Sequence, residues 1–267
     1  MLKDITLGQY FPDDTVVHRL DPRTKLVLTL VFIAALFVAR GIVSYALMLA
    51  ALVCCIAASR VGARALLKSI RPIIAVIAVT AALNVFFTRG TPIVRLWAIT
   101  ITREGLIGAA YMVTRLVMLI SGTFLLTYTT SPISLTDGIE SLLAPLKRIK
   151  LPVHEFAMMM SIALRFIPTL IEETDKIMSA QKARGADFET GSLIRRARAL
   201  LPILIPLFIS AFRRADELAT AMESRCYHGG EGRTRMKKLA MSPGDYISLV
   251  CGAALALAVV LTNMAAP

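Results

Sequence analysis

The sequence predicts an all-α membrane protein: about five transmembrane helices plus a cytoplasmic coupling domain of two long amphipathic helices and one short helix. Three observations carry this. The 267 residues are 56% hydrophobic with a mean hydropathy of +0.68, too apolar for a soluble domain of this length and too long for one anchor. Apolar runs recur along the chain, and a polar region with helical periodicity interrupts them. Finally, 25 of the 30 Lys and Arg residues fall on alternate connections between the runs, as expected when basic segments resist translocation.

The candidate spans are 26–39, 42–59, 70–87, 105–129 and 246–264. The first, at 14 residues, rises only about 21 Å against a hydrocarbon core of about 30 Å. It is expected to borrow residues from the Asp21–Lys25 side and to let Arg40 snorkel at the other surface; a re-entrant hairpin over 26–59 is the alternative. The basic residues flanking the spans place the N-terminus in the cytoplasm and the C-terminus outside. Domain boundaries follow at 1–129 for a four-helix membrane domain, 130–243 for the coupling domain and 244–267 for the last span. Arg115 falls inside the fourth span, where an arginine costs about 2.5–3.5 kcal/mol. Two readings stand for it: facing the bundle interior or a partner, or snorkelling.

Between Ser131 and Pro152 the chain turns polar and is punctuated by Pro132, Pro145 and Pro152. Asp137 and Glu140 have capping-box spacing, which predicts a short helix over 138–143. After Pro152 a long helix runs to Arg184, with an apolar stripe of Phe156, Met160, Ala163, Ile167, Leu170, Ile171, Ile177 and Met178 and an expected kink at Pro168. A second long helix from Leu193 carries Ile194, Ala197, Leu201, Leu204, Ile205, Phe208, Phe212, Ala215, Ala219 and Met222 on one face. Its other face bears charges, with Arg213 and Glu217 spaced to pair. Crossing the membrane twice with these helices would carry Lys182, Arg184, Arg195, Arg196 and Arg198 outside, against the charge rule. They are therefore expected at or below the inner surface. Met158, Met159 and Met160 read either as core filling or as an adaptable contact patch.

Each long helix ends in a small-Arg-small triplet, Ala183-Arg184-Gly185 and Ser224-Arg225-Cys226. A cation in the last turn complements the helix dipole, worth about 0.3–1 kcal/mol. The recurrence at a second helix of similar length favours docking over capping: a stiff stem delivers a planar bidentate donor to carboxylates in a groove.

Other chemistries find little support. Cys54, Cys55, Cys226 and Cys251 lack metal-type spacing, and Cys226 with His228 supply only two ligands. No metal, catalytic or cofactor residue is assigned. Nucleic acid is not an expected partner despite the formal charge of +12, since no recognised fold accompanies it. The first residues carry acids and no apolar core, so no cleavable signal peptide is expected. No G-x4-G-K-[ST] phosphate loop occurs.

The paired arginine tips, the run His18-Arg19-Leu20-Asp21-Pro22-Arg23-Thr24-Lys25-Leu26 and the tail Tyr227-His228-Gly229-Gly230-Glu231-Gly232-Arg233-Thr234-Arg235 together resemble the transmembrane T component (EcfT) of energy-coupling factor transporters, over nearly the whole chain. The resemblance implies a non-catalytic scaffold in a prokaryotic cell membrane that couples two ABC-type ATPase subunits to a substrate-binding membrane S component, for uptake of vitamins or other micronutrients. ATP is then bound by partner subunits and this chain carries no cofactor. Arg184 would enter one ATPase groove and Arg225 the other, within Ala183, Arg184, Gly185, Ser224, Arg225 and Cys226. Phe156, Met159, Met160, Ala163, Ile167, Leu201, Leu204, Phe208 and Phe212 would face the S component. Because the second triplet lacks glycine, its helix is expected to close at Gly229. A self-sufficient secondary transporter or a membrane enzyme is the rival reading; it would call for clustered His, Cys or carboxylates, or for paired intramembrane charges.

Overall fold

The computed structural model describes residues 10–96, 99–188, 192–229 and 239–265. By their contacts these fall into two units, 10–139 with 239–265, and 140–229. In the first, helix α1 (Val16–Arg19) leads to α2 (Pro22–Val38), α3 (Ile42–Ser59) and α4 (Ala63–Ile70), and a 3-10 turn (Arg71–Ile73) joins α4 to α5 (Ile74–Phe87). A hairpin of β1 (Pro92–Leu96) and β2 (Ile99–Thr102) precedes α6 (Arg103–Thr129), and α10 (Pro243–Ala265) closes the unit. Helix α7 (Pro132–Leu143) runs across the division between the units. The second unit holds a 3-10 turn (Ala144–Ile149), α8 (Val153–Ala183) and α9 (Leu193–Glu223).

Five helices are long and apolar enough to cross a membrane: Ile42–Ser59, Arg64–Phe87, Arg103–Thr129, Val153–Ala183 and Pro243–Met264. Four coincide with expected spans. The fifth is α8, where a sequence reading centred on the amphipathic stripe passed over the nearly continuous apolar stretch from Phe156 to Ile171, whose one charge is Arg165. Its best window is nevertheless the least apolar of the five. The expected first span is α2, which does recruit residues from the Asp21–Lys25 side: Pro22 is its first residue, and the Asp21 carboxylate caps the Arg23 N–H at 2.9 Å. Its 17 residues rise about 26 Å, still short of a full hydrocarbon core.

The core explains how so short a helix is held. Leu36, Ala35 and Ala39 of the α2 end pack with Tyr45, Met48 and Leu52 of α3, Met118 of α6 and Val259 of α10. Three neighbours thus surround α2, and small residues let them approach. A side chain at Gly122 would come within 2.9 Å of the Phe32 ring, and one at Gly252 would overlap Leu28.

One expectation needs correction and one element is new. The 88–104 connection contains an antiparallel hairpin pairing Pro92 with Thr102 and Leu96 with Ile99. Its β-branched run Ile99-Thr100-Ile101-Thr102 carried that signal. Glu104 closes the base of the hairpin by accepting from the Thr91 N–H at 2.8 Å. Helix α7 begins at Pro132, six residues before the expected Gly138. Ser131 is its cap, accepting from the Ser134 N–H at 3.2 Å with Pro132 in the first position. Glu140 is therefore no capping partner; its carboxylate, buried at 7% exposure, meets His154 Nδ1 at 3.0 Å.

Candidate functional site

The two arginine tips share one local geometry. At the end of α8 the Gly185 N–H donates to Lys182 O at 3.0 Å and the Ala186 N–H to Gln181 O at 3.0 Å. At the end of α9 the Cys226 N–H donates to Glu223 O at 2.8 Å and the Tyr227 N–H to Met222 O at 3.0 Å. Residue for residue the two patterns match. Gly185 has φ +87° and Cys226 φ +56°, so both chains leave the helix through a left-handed residue. Arg184 and Arg225 each stand immediately before it. The expected closure of α9 at Gly229 is thus corrected: Cys226 takes the left-handed position, at a cost of roughly 1–2 kcal/mol for a residue with a side chain. Gly229 has φ +99° but follows three residues later.

Both arginines are exposed, and neither guanidinium has a hydrogen-bonding or ionic partner among the described residues. Local capping alone does not occupy them. Their stems are both 31 residues long, about 46 Å each. The helices are tied to one another by Arg214 Nη2 and Glu173 Oε2 at 3.1 Å. The expected Arg213–Glu217 pair is absent among the described residues; the ion pair on this stretch is Arg214 with Glu173, between the helices. Pro202 and Pro206 sit within α9, and neither interrupts the helix.

The anticipated contact surface is largely open. Phe156, Met159, Met160, Leu201, Leu204, Phe208 and Phe212 are exposed, Ala163 also, and Ile167 is half-buried. Phe208 and Phe212 stack one turn apart, with ring centroids 6.4 Å apart. Only Ile203 of α9 is buried among its described hydrophobic residues. Residues 230–238 of the tail lie outside the described residues.

Two polar clusters missed by the sequence reading organise the membrane unit. At one end, Asp245 Oδ1 accepts from the Asp21 N–H at 2.8 Å while its Oδ2 accepts from the Ser242 N–H at 2.7 Å. Lys25, only 6% exposed, donates from Nζ to Thr129 O at 2.8 Å and His18 O at 3.0 Å. The Asp-Pro-Arg-Thr-Lys run thus joins the starts of α2 and α10 to the end of α6. At the other end, Arg115 Nε donates to Tyr45 Oη at 2.8 Å and Nη2 to Ala39 O at 3.4 Å, with the guanidinium beside the Phe37 and Tyr45 rings. Arg115 faces the bundle interior. Asn263 Nδ2 donates to Val38 O at 2.6 Å, its Oδ1 accepts from the Arg40 N–H at 2.9 Å, and Ser44 Oγ lies 3.0 Å from Oδ1 and 2.9 Å from Thr262 Oγ1. Together these side chains satisfy the backbone of the α2–α3 turn.

No group of three or more His, Cys, Asp or Glu able to hold a metal occurs among the described residues. All four cysteines are free.

Comparison with known proteins follows this architecture. The family described as Cobalt transport protein (CbiQ) matches residues 13–236. The energy-coupling factor transporter transmembrane protein EcfT of Thermosediminibacter oceani is 52% identical over 262 residues, covering 98% of this chain and 99% of that protein. Those of Clostridium kluyveri and Bacillus subtilis are 53% and 47% identical, the first over 99% of this chain and 98% of its own length, the second over 96% and 98%. The chain therefore belongs to the CbiQ family of energy-coupling factor transporter transmembrane proteins, as a multi-pass helical membrane subunit of such a transporter and not a catalytic enzyme.

Proposed function

We infer that this subunit is the mechanical link of the transporter, receiving movement from two ABC-type ATPase subunits through Arg184 and Arg225 and passing it to a substrate-binding membrane S component that captures vitamins or other micronutrients. The observation that carries the reading is the matched pair of helix ends, each presenting a guanidinium without a partner among the described residues. A planar donor on a rigid stem suits bidentate capture by carboxylates of a groove. In this reading ATP is bound and hydrolysed by the partners, and this chain carries no cofactor of its own.

The exposed apolar residues of α8 and α9, from Phe156 and Met159 to Phe208 and Phe212, serve as the face toward the S component. The stems lie at the inner membrane surface, with the N-terminus cytoplasmic and the C-terminus outside. Arg165 supports this placement of α8: it is exposed within the apolar stretch, and an arginine in lipid at mid-span costs about 2.5–3.5 kcal/mol.

The test is co-purification. Arg184→Glu with Arg225→Glu removes both donors and adds like charge, and losing one interfacial charge partner costs about 2–5 kcal/mol. The double variant is expected to insert into the membrane at normal levels and lose both ATPase subunits on affinity purification. Undiminished ATPase recovery would overturn the assignment.

A further inference from the structure

Helix α4 and the 3-10 turn after it carry a cationic stripe that nothing among the described residues neutralises. Arg64, Lys68 and Arg71 stand four and three residues apart and are all exposed, with exposed Arg60 just before the helix. On a helix of 3.6 residues per turn they fall within one narrow sector. The opposite side holds Leu66 and Ser69, which are buried. None of the four cations has an ionic or hydrogen-bonding partner among the described residues. The sequence contains no Asp or Glu from residue 22 to residue 103, so no acidic side chain on this stretch is available to them.

The position of the stripe is fixed by α6. Tyr128, in the last turn of α6, hydrogen-bonds Ser69 and reaches Ala65 O at 3.4 Å. Helix α4 therefore lies level with the end of a membrane-crossing helix. Directly after it the chain enters the apolar α5. Leu67 beside the stripe is 67% exposed, and Ile74 at the start of α5 is exposed as well. Cations at the level of the headgroups with bare aliphatic side chains next to them match an amphiphile with an anionic head.

We propose that the Arg64, Lys68 and Arg71 face of α4 and the turn after it is a binding site for anionic glycerophospholipid, with the phosphate and headgroup on the cations and the acyl chain along Leu67 and Ile74. The charge complementarity selects this occupant. A neutral lipid leaves the cations without counter-charge, and attraction of a cationic face to an anionic leaflet weakens with salt.

The full-length chain, purified and placed in nanodiscs holding phosphatidylglycerol and phosphatidylcholine in equal amounts, tests this by quantifying the lipid that stays bound after transfer to detergent. Several-fold enrichment of phosphatidylglycerol is expected, falling at high salt. It should be lost in Arg64→Gln with Lys68→Gln and Arg71→Gln, and kept in the charge-matched control Arg196→Gln with Arg198→Gln and Arg213→Gln. Equal retention of the two lipids by the unaltered chain overturns the proposal. So does an equal loss in the control, which assigns the effect to net charge, or a triple variant that keeps its lipid. Should the triple variant not fold, Arg64→Gln and Lys68→Gln read singly, with the salt titration, decide by the same outcomes.

Discussion

Arg184 and Arg225 differ less than their sequences suggest, because backbone geometry and not the flanking letters defines the tip. Cys226 performs the turn that Gly185 performs, with a side chain in the left-handed region. Replacing Cys226 with Gly should therefore relieve roughly 1–2 kcal/mol of local strain. The expected outcome is a higher thermal midpoint in detergent with ATPase recovery unchanged; β-branched Cys226→Val should lower it. A midpoint insensitive to both would mean that the turn at 226 contributes nothing to stability. Arg115 answers to a different requirement. It satisfies Tyr45 Oη and the Ala39 carbonyl inside the bundle, and leaving such groups unmet costs about 1–3 kcal/mol. Arg115→Met should lower the thermal midpoint, while Arg115→Lys, which keeps the charge without the fork, should restore it only in part. Full stability of Arg115→Met would return the residue to the snorkelling reading.

At the scale of elements, the clasp around Lys25 and Asp245 holds three helix ends with few side chains. Lys25→Met would strand the Thr129 and His18 carbonyls, and Asp245→Asn would weaken the charged acceptor shared by Asp21 and Ser242. Each should cost about 1–3 kcal/mol, and the pair should cost less than their sum if they serve one cooperative cluster. Thermal midpoints of the two single variants and the double variant in detergent check this; strict additivity would separate the two into independent contacts. These contacts also mark the limit of what the sequence discloses. The apolar runs, the start of α8 after Pro152 and the paired tips are local signals, readable from neighbouring residues. The Asp21–Asp245 hydrogen bond joins positions 224 residues apart, and no periodicity announces such a partner. Helix α7 shows the local version of the difficulty: Ser131-Pro132 and Asp137 with Glu140 both read as starts. The earlier start prevails, with the Ser131 hydroxyl accepting from the Ser134 N–H and Pro132 in the first position. The hairpin before α6 was legible in its β-branched residues but sat in a connection read for charge alone.

For the whole molecule the decisive matter is which helices cross. Helix α8 has the length to span, at 31 residues, and α2 falls just short at 17; yet α2 is surrounded on three sides by crossing helices and α8 carries exposed Arg165. A solvated backbone is not available within the hydrocarbon, so a short helix survives there where neighbours satisfy its turn, as Arg115, Asn263 and Ser44 do for the α2–α3 connection. Helix α8 carries Lys176 and Lys182 toward the end that Arg184 follows, and crossing would force these cations through the membrane. The expectation is that both ends of α8 and the tip of α9 lie on one side. Cysteine at position 155 or 183, introduced singly, and native Cys226, each as the sole cysteine of its variant, should react with an impermeant maleimide in inverted vesicles and resist it in right-side-out ones. If positions 155 and 183 label from opposite faces, α8 is a span, and two tips acting together on one side of the membrane can no longer be the transmission.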